Sequence, residues 1–314
     1  MKREKVLVTG GAGYIGSVLT KHLVEKGYRV TCLDNLVSGP QSLMHLISRP
    51  NFDFIFGDVR NEGTLKKLVP KYDIIIPLAG VVGMPQCQKN PVDAVMINRN
   101  AILNIEKLRN SSQMILFPNT NSGYGTTTGE SYCTEETPLN PISLYGKTKC
   151  EAEKALLESD KQAICFRLAT TFGISPKMRT DLLVNHFVYQ AVSNGYLVVF
   201  EKDFKRNFIH VQDIAECFGY GIEQYDTMKG KAYNLGIDSA NVSKQELVEK
   251  IKNYIPNLDI TYKELGSDID KRNYIVSNER LRKAGFEAKV TIEEGIQELI
   301  KGYSLMFAKE VFRQ

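Results

Sequence analysis

Long apolar runs are missing from this sequence of 314 residues: the longest, residues 74–84, is interrupted by Pro77, Gly80 and Gly83 and is too short to span a bilayer. Residues 1–5 are charged and lead directly into Val6-Leu7-Val8-Thr9-Gly10, leaving no place for the apolar core of a secretion signal. Excess charge of one sign is missing too. Lys+Arg 40 against Asp+Glu 36 gives +4, too even a balance for nucleic acid to be the default partner, although an anionic small substrate is compatible with it. Cysteine is present but unpatterned: Cys32, Cys87, Cys133, Cys150, Cys165 and Cys217 form no Cys-x-x-Cys pair and have no histidine at metal-ligand spacing. Neither a metal site nor a disulfide framework is expected. Internal repeats and low-complexity linkers are absent as well. What remains is a soluble, cytoplasmic protein with reduced thiols and no membrane contact, able to bury one large core or two unequal ones.

From residue 5 to about 170, short β-rich runs alternate with segments of helical period, the pattern of a parallel sheet covered by helices. The runs are 6–8, 29–33, 52–56, 73–78, 114–117 and 163–168, so six strands are expected in a doubly wound α/β (Rossmann) domain. Between the first two, Ile15, Val18, Leu19, His22 and Leu23 recur at helical spacing until Gly27. After Pro176 the alternation becomes irregular, and capping boxes at Ser243/Glu246 and Thr291/Glu294 announce two later helices. The expected division is a nucleotide-binding domain over 1–174, with 207–235 returning to it, and a smaller C-terminal α/β substrate lobe over 175–206 and 236–314.

Directly after the first strand comes Thr9-Gly10-Gly11-Ala12-Gly13-Tyr14-Ile15-Gly16, opening the first helix. Residues without β-carbons allow a tight turn and let a pyrophosphate approach backbone N–H groups at the positive end of the helix dipole. A tight strand-to-helix turn is the bland alternative; the placement inside a βαβ unit favours a dinucleotide, lined by Gly10, Gly13, Tyr14, Ile15 and Gly16. Asp34 ends the second strand, where a carboxylate accepts from an adenosine ribose and repels a 2′-phosphate. Neither Asn35 nor Leu36 supplies a cation to offset that repulsion, so NAD is expected. Asp58 and Val59, after the third strand, are placed to meet the adenine, although an aspartate in a turn is common.

Tyr145 and Lys149 are four apart and so share a helix face. Spacing alone proves little, because Tyr225 and Lys229 repeat it. Position separates the two: Tyr145 opens the helix after the fifth strand, whose carboxyl end, Asn119-Thr120-Asn121, lies on the usual ligand face. Bringing a tyrosine from a pKa of roughly 10 to near 7 takes about 4 kcal/mol. One cation at about 4 Å supplies that order of energy at an effective dielectric of about 20. Tyr145 is then a base toward a sugar hydroxyl, Lys149 the cation that sharpens it, and Thr120 the hydroxyl that orients the reacting oxygen.

These residues resemble the extended short-chain dehydrogenase/reductase family, the nucleotide-sugar epimerases and dehydratases, along essentially the whole chain. Three ordered motifs carry the likeness: residues 9–16, Asn119-Thr120-Asn121-Ser122-Gly123-Tyr124-Gly125, and Tyr145-Gly-Lys-Thr-Lys149. The resemblance implies that Thr120, Tyr145 and Lys149 are catalytic and that Leu78, Ala79 and Gly80 line the cofactor. It also implies that Asn98 supports the active-site helix, and that Asn185 and Arg206, with Arg272 as a second candidate, hold the diphosphate of a nucleotide sugar beside Asn121 and Ser122. A homodimer built on helices over 91–109 and 147–157 is implied as well. Family members that dehydrate across C4–C6 carry Asp-Glu after the catalytic threonine. Here Asn121-Ser122 stands instead, and neither is a competent acid or base at neutral pH. Members that invert C3 and C5 place a cysteine at the Ser122 position. Chemistry at C4 alone remains: net oxidation, or epimerisation with the same residues. The usual asparagine at the Thr170 position is absent.

A non-catalytic dinucleotide sensor is the reading from a different class, and an intact Thr120, Tyr145 and Lys149 argue against it. A P-loop is excluded because Pro141 stands where Gly146-Lys147-Thr148 would need an upstream glycine. His186 and His210, amid apolar neighbours, are expected to be satisfied buried imidazoles.

Overall fold

The computed structural model describes residues 4–127, 131–263 and 273–311. Its strands are β1 (Lys5–Thr9), β2 (Arg29–Asp34), β3 (Phe52–Phe56), β4 (Ile74–Pro77), β5 (Met114–Thr120), β6 (Tyr132–Cys133), β7 (Ile164–Leu168), β8 (Thr170–Phe172), β9 (Tyr196–Phe200), β10 (Lys205–His210), β11 (Lys231–Leu235), β12 (Asn241–Ser243), β13 (Asp259–Lys263) and β14 (Ile275–Val276). Seven of them form one sheet in the order β11-β7-β5-β4-β1-β2-β3, every pairing parallel. The order reverses beside β1, so the crevice for a ligand opens between the carboxyl ends of β1 and β4.

Burial explains why the strand runs are continuously apolar rather than alternating. Val6, Val8, Ile74 and Ile76 pack into one core, while Leu7, Ile75, Ile115 and Phe117 pack into a second on the opposite face. Both faces are covered by helices, so these strands are buried at every position after their first residues, Lys5 of β1 and Met114 of β5. The helix Tyr14–Glu25 leaves β1 through the glycine turn and is followed by Gly27, whose φ of +90° reverses the chain into β2.

The two strand-like runs of 207–235 end up in different places. β11 joins the edge of the seven-stranded sheet, whereas β10 lies in a three-stranded sheet with β8 and β12. Two further pairs, β9 with β13 and β6 with β14, complete the region after the large sheet. The capping box of Ser243 and Glu246 starts the helix Lys244–Lys252. Thr291 and Glu294 exchange the equivalent bonds before the helix Ile292–Val311. No helix among the described residues is long and apolar enough to cross a membrane.

Candidate active site

The glycine turn is shaped by close approach. Gly10 has a φ of +73°, and a β-carbon there would sit 2.5 Å from the backbone nitrogen of Ala79, which follows β4. A β-carbon on Gly16 would meet the Gly10 carbonyl oxygen at 2.2 Å, so the helix leaves the turn only because that atom is missing. The helix Tyr14–Glu25 starts at Gly13 with no side-chain cap and no acidic residue in its first turn. Its first N–H groups and positive dipole end are therefore left to an anion. Asp34 braces the turn: Oδ2 accepts from the Ala12 N–H at 2.9 Å and Oδ1 from the Leu36 N–H at 2.8 Å. Each oxygen keeps one acceptor position for a ribose hydroxyl. These residues fit a dinucleotide.

Asp58 is differently placed from what its position in the sequence suggests. Arg60 gives it a backbone N–H at 2.8 Å, Nε at 3.0 Å and Nη2 at 2.7 Å, and Asn35 Nδ2 adds a fourth bond at 3.1 Å. A carboxylate has about four such positions, so none is left for an adenine amino group. Hydrogen bonding from Arg60 holds the Asp58 carboxyl down to about 2. Val59 beside it is buried. Across the crevice, Asn98 is buried in a π-helical turn over Met96–Asn100, where its Oδ1 accepts from Val81 N–H and its Nδ2 donates to Val81 C=O, both at 2.9 Å. It clamps the loop that contains Leu78, Ala79 and Gly80 with one bond at each end of its amide.

The helix Leu144–Leu157 begins at Ser143, whose Oγ accepts from the Gly146 N–H at 3.1 Å. It lies tightly on the turn that follows β5: a β-carbon on Gly123 would be 2.7 Å from Cys150 Sγ, and one on Gly146 would be 3.4 Å from the Ser122 carbonyl oxygen. This brings Tyr145, half-buried at the helix start, to the end of β5 where Thr120 stands. Thr120 Oγ1 accepts from the Ser122 N–H at 3.1 Å and pairs with Ser122 Oγ at 2.5 Å. Lys149 is buried one turn below Tyr145, its Nζ 4.0 Å from the centre of the Phe117 ring. Burial pushes this ammonium down to about 7. Asn121 is wholly buried and its amide makes no hydrogen bond.

The diphosphate candidates are less open than expected. Asn185 accepts from Gly173 N–H at 3.1 Å and donates to Tyr14 Oη at 3.2 Å and to Arg179 C=O at 2.9 Å. Tyr14 Oη donates in turn to Gly173 C=O at 2.7 Å. Arg206 is buried on β10, its Nη1 bonded to Lys205 C=O at 3.1 Å and its guanidinium over the Tyr274 ring. Arg272 lies outside the described residues. His186, expected to be buried, is exposed because it occupies the outer face of the helix Leu183–Asn194. His210 is buried and engaged at both nitrogens, with Glu298 at 2.6 Å and the Gln212 N–H at 3.3 Å.

Sequence spacing alone did not single out Glu153, Arg167 and Asn119, which form a buried hydrogen-bonded cluster below the Tyr145 turn. The available signal was the series Tyr145, Lys149, Glu153 at intervals of four.

The family model described as the NAD dependent epimerase/dehydratase family matches residues 6–236. CDP-paratose 2-epimerase of Salmonella typhi is 28% identical over 331 residues, covering 94% of this chain and 98% of the relative. UDP-glucose 4-epimerase of Lactobacillus helveticus is 27% identical, covering 82% of this chain and 83% of its own. The crystal structure of dTDP-glucose 4,6-dehydratase from Bacillus anthracis in complex with NAD shares the fold, with a TM-score of 0.83, 23% identity and coverage of 97% and 98% of the two chains. With its glycine turn, Asp34 and the Tyr145 helix in the arrangement described, this chain belongs to the NAD dependent epimerase/dehydratase family and is an NAD-dependent enzyme of the nucleotide-sugar epimerase and dehydratase type.

Proposed function

We propose that the protein oxidises a nucleotide sugar at C4, converting GDP-D-glycero-α-D-manno-heptose to its 4-keto form for capsular or other surface polysaccharide. The observation that carries the chemistry is Lys149, buried over Phe117 one helical turn from Tyr145 and packed beside the strand that ends in Thr120. The sugar assignment rests on wording: Pro118-Asn-Thr-Asn-Ser-Gly-Tyr-Gly125, Leu168-Ala-Thr-Thr-Phe-Gly-Ile-Ser-Pro176 and Arg206-Asn-Phe-Ile-His210 look like those of bacterial GDP-heptose 4-dehydrogenases.

NAD, when bound against Gly10, Gly13 and Asp34, supplies the hydride acceptor. The chain's own groups handle the proton. Tyr145 takes it from the C4 hydroxyl, and Thr120 Oγ1, turning from Ser122, orients that oxygen. The working form of the pair is a phenolate on Tyr145 beside an ammonium on Lys149, each charge favouring the other. Burial alone pulls the Lys149 ammonium down to about 7, and the charge of a neighbouring phenolate offsets that pull. Leu78, Ala79 and Gly80 line the cofactor, Arg206 faces the diphosphate, and residues 175–206 and 236–314 make up the sugar-binding lobe. The protein acts in the cytoplasm as a homodimer joined through its helices over 91–109 and 147–157, a state that sedimentation would report.

A C4 epimerase is the second reading, favoured by the likeness to UDP-glucose 4-epimerase. Incubation with GDP-heptose, UDP-glucose and UDP-N-acetylglucosamine, followed by NMR of the products, separates the two. A 4-keto heptose supports the oxidation; an inverted C4 alcohol with no ketone overturns it.

A further inference from the structure

We propose that Glu153 is a positioning residue for the reaction: it is the joint that fixes the strand carrying Thr120 against the helix carrying Tyr145 and Lys149. This rests on the reading that those three residues do the chemistry. Glu153 lies on the same helix face, one turn beyond Lys149, and is 2% exposed. A carboxylate so deeply buried needs partners, and it has them on two strands of the large sheet. Asn119, the residue immediately before Thr120, donates from Nδ2 to Glu153 Oε2 at 2.6 Å. Arg167 donates from Nη2 to Oε1 at 2.7 Å and from Nε to the two oxygens at 3.1 and 3.2 Å.

Register explains the convergence. Asn119 of β5 is paired with Arg167 of β7, and Arg167 with Asn234 of β11, so three polar residues stand abreast on neighbouring strands. Arg167 continues the chain from its other side, donating from Nη1 to Tyr124 Oη at 3.0 Å, and Tyr124 Oη donates to Asn234 Oδ1 at 2.7 Å. Tyr124 belongs to the turn after Thr120. Glu153 and Arg167 therefore grip that segment on both sides of Thr120, through Asn119 before it and Tyr124 after it. Side chains alternate along a strand, so Asn119 and Thr120 point to opposite faces. The grip on Asn119 leaves the Thr120 hydroxyl free to reach the reacting oxygen while setting its distance from Tyr145.

Asn119→Ala tests this with least damage, because the Arg167–Glu153 pair remains whole. The expected result is a fall in kcat of roughly 10- to 100-fold, the scale of a small misplacement of reacting groups. KM for the nucleotide sugar and the dissociation constant for NAD, read by calorimetry, stay within about twofold of the parent, as does the acid limb of the pH profile. Glu153→Gln and the double variant complete a cycle: the double loses no more than the worse single, because both break one joint. An unchanged kcat in Asn119→Ala overturns the proposal. So does a parallel loss of kcat, sugar KM and NAD affinity, the mark of general loosening. If Glu153→Gln fails to fold, leaving Arg167 unpaired in the interior, Asn119→Ala decides alone. Tyr145→Phe is assayed beside them: full turnover there defeats the catalytic reading itself, whereas its loss with normal Asn119→Ala defeats only the joint.

Discussion

The chain writes the same spacing twice, and the two copies do unlike things. Tyr145 and Lys149 sit on a long helix at the carboxyl end of β5, with Lys149 enclosed and without a carboxylate in ion-pair contact among the described residues. Tyr225 and Lys229 span a helix of only four residues, Tyr225–Met228. There Tyr225 Oη accepts from Ile115 N–H at 3.3 Å and donates to Gln162 C=O at 3.2 Å, and Lys229 pairs with Asp226 at 2.8 Å. Shifts run in opposite directions: burial lowers Lys149, while hydrogen bonding to Asp226 raises Lys229. Under the proposed function, the pair whose cation is enclosed without a counter-ion is the reactive one, and the pair whose members have each found a partner of their own is structural.

The comparison breaks first, if at all, on turnover. Tyr145→Phe is expected to lower kcat by about 10³-fold or more, since proton transfer and the organisation around it both fail; Tyr225→Phe should leave steady-state kinetics unchanged. Next comes the pH profile. Turnover should rise with pH as the Tyr145 phenol gives up its proton, and Lys149→Met should move that limb upward by more than one unit toward the ordinary tyrosine value of roughly 10. Lys229→Met should leave the limb where it is.

Stability sharpens the contrast further. The folded-state pKa of Lys149 lies below its unfolded value, so between about 7 and roughly 10 the unfolded chain binds more protons and stability rises with pH. Lys149→Met should therefore raise the melting temperature most below pH 7, with the gain shrinking toward pH 10. A constant gain across that range would contradict an enclosed, titrating ammonium. Smallest of all, Tyr225→Phe should cost about 1 kcal/mol by denaturant melts for its two lost backbone bonds. Lys229→Ala should produce no measurable change.

The large sheet was readable because the middle of a strand covered on both faces has to be apolar on both sides, as Val6-Leu7-Val8 of β1, Ile74-Ile75-Ile76 of β4 and Ile115-Leu116-Phe117 of β5 are. Glycine spacing located the turn at Gly10 for an equally local reason. Side-chain competition was not readable. Asp58 has its acceptor positions filled by Arg60 two residues on and by Asn35 from another loop, and Asn185 spends its amide on Gly173, Tyr14 and Arg179. Glu153 reads as a surface acid among Lys147, Glu151 and Lys154, and only the facing Arg167 and Asn119 account for its burial. His186 misled through apolar neighbours in the chain, which in a helix lie on other faces.

The hydroxyl of Tyr14 joins parts of the chain 159 residues apart, binding Gly173 while Asn185 reaches back to it. Ser175 adds to this link, donating from Oγ to Tyr14 C=O at 2.7 Å and pairing with Ser17 Oγ at 3.1 Å, so the start of the first helix and the segment after β8 are held together at several points. Under the proposed function, such a tether favours compulsory order: dinucleotide first, sugar second, with the second ligand arriving at a cleft the first has already stiffened.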